Sequence, residues 1–241
     1  MRYLPVRSDP WQLVWHYANG RMPDFVNGKE GDVGWVAWDH RGVQPLDDIQ
    51  IPDGQKRYVF SKKFELRFNT AFEEVVRGSA DLGRFGKTWV TPELVEGLIG
   101  MHRLGYAHSY EAWTTDDSTP IGKGQLAGGV WGVQIGSFVT ASSMFNKVSN
   151  ATKAAYGRAL LHLKERGFTW VDTGMVPEHA VNYGSRYVPR WQFEAKLREL
   201  VSTPRTIVDG LAAPVLPKGM AWRMAAGRVM RGVGRRLGMG A

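Results

Sequence analysis

The sequence predicts an α+β fold, a mixed sheet with helices on its faces, from three observations. Short runs rich in β-branched and aromatic residues, such as Ala107 to Trp113 and Phe168 to Val171, read as strands. Between them lie longer segments of good helix formers bounded by capping residues and glycine stops. A chain of 241 residues with 43% hydrophobic content can bury one good core, or one core plus a small satellite domain.

Residues 1–57 are dense in Pro, Gly and Trp and poor in long periodic runs, which marks a small N-terminal domain. Trp11 to Tyr17 reads as a short helix after the Ser8-Asp9-Pro10 start signal, while Asn19-Gly20, Asn27-Gly28 and Asp53-Gly54 read as turns. The main domain, residues 58–203, opens with a strand on Phe64, Leu66 and Phe68 and a helix from Phe72 to Arg77. Thr91 caps the next helix, with Pro92 at its first position and Gly105 as its end; Leu94, Leu98, Met101 and Leu104 give it an apolar face. Ala107 to Trp113 and Gly128 to Val133 are two strands, joined by the Thr114 to Pro120 loop and Gly122-Lys123-Gly124. Val133 to Val139 is a short apolar run that reads as a strand, and Ser142 to Ser149 turns the chain. Asn150 is the expected N-cap of a helix from Ala151 to Lys164, stopped by Gly167. Phe168 to Val171 is the following strand, and Asp172 sits at its end.

Charge is concentrated at one terminus. The chain carries a formal +8 and a pI near 9.8, which favours a polyanionic partner. Seven of its cations and one acid fall in the tail, 204–241, which accounts for +6 of that total. Wound as a helix, Trp222 to Leu237 places Trp222, Ala226, Val229, Met230, Val233 and Leu237 on one arc and Arg228, Arg231 and Arg235 opposite. Such a basic amphipathic segment suits RNA or an anionic membrane surface. The absence of cysteine excludes disulfides, thiolate metal sites and a thioester intermediate. No stretch approaches the ~20 apolar residues of a membrane span, so a cytoplasmic protein is expected.

Asp172 is the leading chemical candidate, because a carboxylate at the tip of a buried strand is held rigidly at a cleft, as a proton acceptor or substrate anchor requires. The six histidines show no metal-ligand spacing, and the glycine-rich 122–129 stretch precedes a strand rather than opening a helix, unlike a phosphate cradle. No metal or cofactor is expected. Lys56, Arg57, Lys147 and Lys153 suit phosphate contacts along one surface.

Ser143-Met144-Phe145, Asn150-Ala151-Thr152-Lys153, Val171-Asp172, His179, Gly184 and Pro189-Arg190 resemble the leucyl/phenylalanyl-tRNA–protein transferase family, in its order and nearly its spacing. Upstream, Thr88 to Thr91, Leu104 to Trp113 and Gly128 to Val133 are similar to its other signature runs, and Tyr17, Gly20, Pro23, Phe25, Arg41, Val43, Lys56 and Arg57 match its N-terminal part. The resemblance runs from about Tyr17 to Leu200. It implies a GNAT-like acyltransferase domain, and transfer of leucine or phenylalanine from aminoacyl-tRNA to the N-terminal Lys or Arg of acceptor proteins, marking them for degradation, by a monomer. It also implies catalysis by Asp172 with the corner at Ser142, and contact with the donor through Trp89, Val130, Val139, Met144, Phe145 and Leu163. The sequence also departs from the family: the lead-in before Tyr17 is shorter and lacks its Gly-Gly element, and Ser142 stands for its Glu, Gly174 for its Gln and Asp24 for its Trp. Leu98, Val130, Val139 and Leu163 replace larger groups, which suggests a wider or reshaped pocket. The alternatives are a catalytically altered or inactive tRNA-binding relative, and a same-fold acyltransferase with another donor such as CoA; the latter wants a glycine-rich loop before the central helix, where Phe145 to Asn150 has none.

Overall fold

A computed structural model describes residues 4–26, 32–47, 49–81, 88–217 and 219–220. The tail helix expected from Trp222 to Leu237, the Asn27-Gly28 turn and the side chain of His179 lie outside the described residues.

Local signals in the sequence set the ends of several helices. Helix α1 (Pro10–Ala18) starts where Asp9 Oδ1 accepts from the Trp11 N–H at 3.0 Å, and it buries Leu13, Val14 and Tyr17. A two-stranded ribbon follows, β1 (Met22–Phe25) and β2 (Val33–Val36), and then β3 (His40–Pro45). Asp53-Gly54 does not end as a turn: it is the first turn of α2 (Asp53–Val59), a helix supported by packing on α5, where Val59 fills the space beside Gly157. Strand β4 (Phe64–Phe68) and helix α3 (Phe72–Ala80) match the expected pair. Helix α4 (Pro92–Arg103) begins with Thr91 Oγ1 accepting from the Leu94 N–H at 3.3 Å, and Gly105 takes φ +80° just after it.

Strands β5 (Ala107–Thr114) and β6 (Leu126–Ile135) form the centre of the sheet. The run from Val133 to Val139 is not one strand. Gly136, at φ +59°, turns the chain back so that β7 (Phe138–Thr140) pairs antiparallel with the end of β6. Residues from Ser142 onward are also more ordered than a turn: β8 (Ser143–Asn146) pairs with β6 over 128–131. Helix α5 (Ala151–Glu165) follows, with Asn150 at its N-cap position in the left-handed region, φ +70°, and making no side-chain capping bond. Strand β9 (Trp170–Gly174), the short α6 (Glu178–Val181), β10 (Arg186–Pro189) and α7 (Arg190–Ser202) complete the chain.

Among the described residues, eight strands form one mixed sheet in the order β10-β3-β9-β7-β6-β5-β4, with β8 beside β6. Only β7 and β9 run parallel; the other pairs are antiparallel. Strand β3, from the first 57 residues, lies inside this sheet between β10 and β9. Apolar side chains fall into two clusters. One joins α1, α3, α4 and α7, with Tyr17, Trp131, Phe138 and Phe193; the other joins α2 and α5, with Val130, Val139, Leu163 and Val171. Alternation along β6 and β9 sends neighbouring side chains to opposite clusters, so the sheet separates them. No helix among the described residues is long and apolar enough to cross a membrane.

Candidate active site

Asp172 lies inside β9 rather than at its end, and it is buried to 2% exposure. Val171 faces the α5 cluster, so Asp172 faces the other side, where Arg41 of β3 meets it. Arg41 Nε donates to Oδ1 at 2.8 Å and Nη2 to Oδ2 at 2.7 Å, and the Gly174 N–H adds a 2.9 Å bond to Oδ1. A carboxylate has about four lone-pair directions, so three donors leave one, on Oδ2. The guanidinium is itself buried, with its Cζ 4.9 Å from the ring centroids of both Trp38 and Phe193, and Nη1 has no hydrogen-bond acceptor among the described residues. Tyr17 completes this group: its phenol is fully buried beside Ser142, Asp172 and Arg41, and burial raises its pKa.

Burial alone does not mark the acid. Glu111 of β5 is equally buried, yet it accepts from the Ala71 N–H at 2.9 Å, Ser109 Oγ at 2.7 Å, Trp113 Nε1 at 3.1 Å and the Thr70 hydroxyl. Four donors fill its four acceptor directions at the start of α3, which is a structural role. Asp172 keeps one.

The chain breaks between β7 and β8 next to this carboxylate. Ala141 donates its N–H to the Asp172 carbonyl at 2.9 Å, on β9, and Ser142 donates its own to the Trp131 carbonyl at 2.9 Å, on β6. The backbone thus changes partner strand within two residues, and β8 leaves β9 behind. Thr140 Oγ1 and Ser142 Oγ lie 2.7 Å apart at this break, with the Val133 N–H donating to Thr140 Oγ1 at 2.9 Å. Gly132 is required opposite, because a Cβ there would overlap the Thr140 carbonyl.

On the α5 side of the break lies a cavity of about 30 Å³. Val130, Val139 and Leu163 line it together with Tyr110, Tyr156, Leu160, Ala141 and Val171. That volume admits a water or two, so a leucine or phenylalanine side chain enters only if the walls move. Met144 pairs with Val130 and packs on the same cluster. His108 is also in the wall. Asn69 Oδ1 accepts from the Ser109 N–H at 2.9 Å, which turns its amide nitrogen to His108 Nδ1, 2.9 Å away. The proton therefore sits on Nε2, which is buried with no hydrogen-bond partner among the described residues. Burial, with repulsion from His102, lowers this imidazole to a pKa of about 4.

Trp89 and Phe145 are elsewhere. Trp89 packs on the α1/α3/α4 side with its ring 5.9 Å from Trp131, and Phe145 is buried there against Gly78. The sheet stands between them and the cavity. The basic candidates converge in part: Lys153 Nζ and Arg57 Cζ each lie 4.7 Å from the ring centroid of Tyr58, although 96 residues apart in sequence. Lys56 pairs with Asp53 at 2.7 Å, and Lys147 is exposed on the loop leading to α5. The partnership of Asp172 with Arg41 is the feature of this site that the sequence did not disclose. Both residues lie among the family-like positions, but nothing local pairs them, and any of 31 Lys and Arg residues could supply a cation to a buried Asp.

Comparison with known proteins identifies the family. A family model described as "Leucyl/phenylalanyl-tRNA protein transferase" matches residues 43–198. The transferase of that name from Salinibacter ruber is 37% identical over 194 residues, covering 80% of each chain. That of Anaeromyxobacter dehalogenans is 34% identical over 198 residues, covering 81% of each, and that of Gloeobacter violaceus is 32% identical over 199 residues, covering 83% of this chain and 97% of the relative. The chain belongs to the leucyl/phenylalanyl-tRNA–protein transferase family.

Proposed function

We propose that this chain moves leucine, phenylalanine or a similar apolar residue from aminoacyl-tRNA to the N-terminal Lys or Arg of acceptor proteins in the cytoplasm, marking them for degradation. The observation that carries the reading is the break at Ala141–Ser142. There the backbone passes from β9 to β6, with an apolar cavity on one face of the sheet and the Asp172–Arg41–Tyr17 group on the other. A donor whose side chain occupies the cavity then presents its ester carbonyl at Ser142, and the acceptor amine approaches from the Asp172 side. The parallel β7–β9 pair that separates beyond this break supports a GNAT-like domain.

The chemistry asks little of covalent catalysis. The ester is already activated, and an N-terminal α-amine of pKa about 7.7–8.0 is on the order of a tenth neutral at pH 7. The amine nitrogen attacks the ester carbonyl, the new C–N bond forms, the C–O bond to the tRNA ribose breaks, and the proton shed by nitrogen goes to the departing ribose oxygen. Asp172, doubly hydrogen-bonded to Arg41, accepts an N–H of the amine on its remaining Oδ2 lone pair and orients it. The hydroxyls of Ser142 and Thr140 flank the reacting carbonyl. Val130, Val139, Leu163 and Met144 receive the donor side chain, with Trp89 and Phe145 supporting the sheet from behind. Lys56, Arg57, Lys147 and Lys153 hold tRNA phosphates.

The test is transfer of labelled leucine or phenylalanine from charged tRNA to a peptide with N-terminal Arg, run beside the same peptide acetylated at its N-terminus. Transfer to the free amine alone is expected. Intact tRNA binding with no transfer from either donor would overturn the enzymatic reading and leave an RNA-binding relative, as the absent Glu and Gln at Ser142 and Gly174 allow.

A further inference from the structure

We infer that Phe60, carried on a clamped loop amid cations, is a stacking platform for an unpaired nucleotide at the acceptor end of the donor tRNA; this rests on the function proposed above. Phe60 follows α2 and is 56% exposed, and it belongs to neither core cluster. An exposed aromatic ring on a loose loop would mean little, but this one sits on fixed backbone. Arg158 of α5 donates to the Val59 carbonyl at 2.6 Å, the Ser61 carbonyl at 3.2 Å and the Phe64 carbonyl at 3.4 Å. From the other side Thr115 donates its hydroxyl to the Lys62 carbonyl at 2.7 Å and its N–H to the Lys63 carbonyl at 3.1 Å.

The surroundings are cationic. Lys62 and Lys63, two and three residues on, are exposed, and Arg57 and Lys153 lie over Tyr58 two residues earlier. Of the nearby acids, Asp53 pairs with Lys56 at 2.7 Å and Glu65 with Arg67 at 2.9 Å, while Asp116, which accepts from the Ser118 N–H at 2.9 Å, offsets part of the charge of Lys63. A bare ring in a stretch where cations outnumber acids fits a partner that offers both phosphate and a free π-face. Base pairs inside a helix hide their faces, so the partner is a single-stranded segment. The aminoacyl ester hangs from such a segment, and α5, which clamps the loop, also walls the cavity with Tyr156, Ala159, Leu160 and Leu163.

Binding of uncharged leucine tRNA is measured as a function of salt for the full chain and for Phe60→Ala, with a tRNA shortened by its unpaired 3′ nucleotides and with phosphatidylserine vesicles alongside. Stacking is worth a factor of about 5 to 150 per base, so Phe60→Ala weakens binding of the intact tRNA by that order with an unchanged salt slope, and leaves the shortened tRNA bound as by wild type. Lys153→Ala lowers the slope by about 1 for both RNAs. Equal binding of intact tRNA by wild type and Phe60→Ala overturns the inference, as does an equal loss on both RNAs or a Phe60-dependent attachment to vesicles. If wild type still transfers amino acid in those cases, the proposed function stands without it; if wild type binds no tRNA, both fall.

Discussion

Replacing Arg41 by Met leaves the Asp172 carboxylate buried without its cation, and the structure says how costly that is. The pair is 2% and 1% exposed and doubly hydrogen-bonded at 2.8 and 2.7 Å. Breaking a buried pair by removing one partner costs about 3–5 kcal/mol, far above the about 0–1 kcal/mol of surface pairs such as Arg77 with Glu73. In a chain of this size that corresponds to roughly 6–20 °C in Tm. Melting curves of wild type, Arg41→Met, Asp172→Leu and the double variant close a thermodynamic cycle. Each single variant is expected to melt well below wild type, and the double variant to recover much of the loss, because a charged orphan no longer remains. The folded double variant then separates structure from chemistry: amino acid transfer should be absent in it although tRNA still binds. An Arg41→Met protein that melts within about 2 °C of wild type, or a double variant no better than the worse single, would refute the reasoning.

Three further outcomes follow from the same geometry. Val139→Phe fills the cavity and should abolish transfer of leucine and phenylalanine while leaving tRNA affinity within about twofold; overpacking of about 1–3 kcal/mol is the accompanying stability loss, read by melting. Gly174→Gln, which restores the side chain the family carries, should destabilise by about 1–2 kcal/mol and not raise activity, because Gly174 holds φ +71° and a Cβ there meets Met22 Sδ at 3.1 Å. His108 makes stability depend on pH. Its folded pKa of about 4 lies below the ordinary 6.5, so between those values the unfolded chain binds a proton that the native chain refuses. Stability is therefore full above pH 6.5 and falls by up to about 3 kcal/mol toward pH 4, with His16, lowered to about 3 by its own burial, acting in the same direction. Denaturant titrations from pH 7 to 4 should show a shallower fall in His108→Gln; an unchanged slope would count against the buried neutral imidazole.

Much of the local structure follows from short stretches of sequence, because caps and stops act over one helical turn. Asp9, Thr91-Pro92, Gly105 and Gly167 mark helix ends on their own, and the alternation of Ala107 to Trp113 is a strand wherever it pairs. The family is also legible there, since collinear motifs need no coordinates. What the tertiary structure decided is pairing across distance. Gly136 turns back because the end of α7 closes over it, with a Cβ at that site only 2.6 Å from the Val201 carbonyl, and β8 is a strand because β6 offers it an edge. Asp53-Gly54 is helical because α5 receives Val59. The choice of Arg41 as partner to Asp172, 131 residues away, depends on β3 entering the sheet beside β9, and the division of the candidate residues between two faces depends on the side-chain alternation of β6 and β9 once their neighbours are set. Composition and spacing name the residues available for chemistry; the order of strands determines which of them meet.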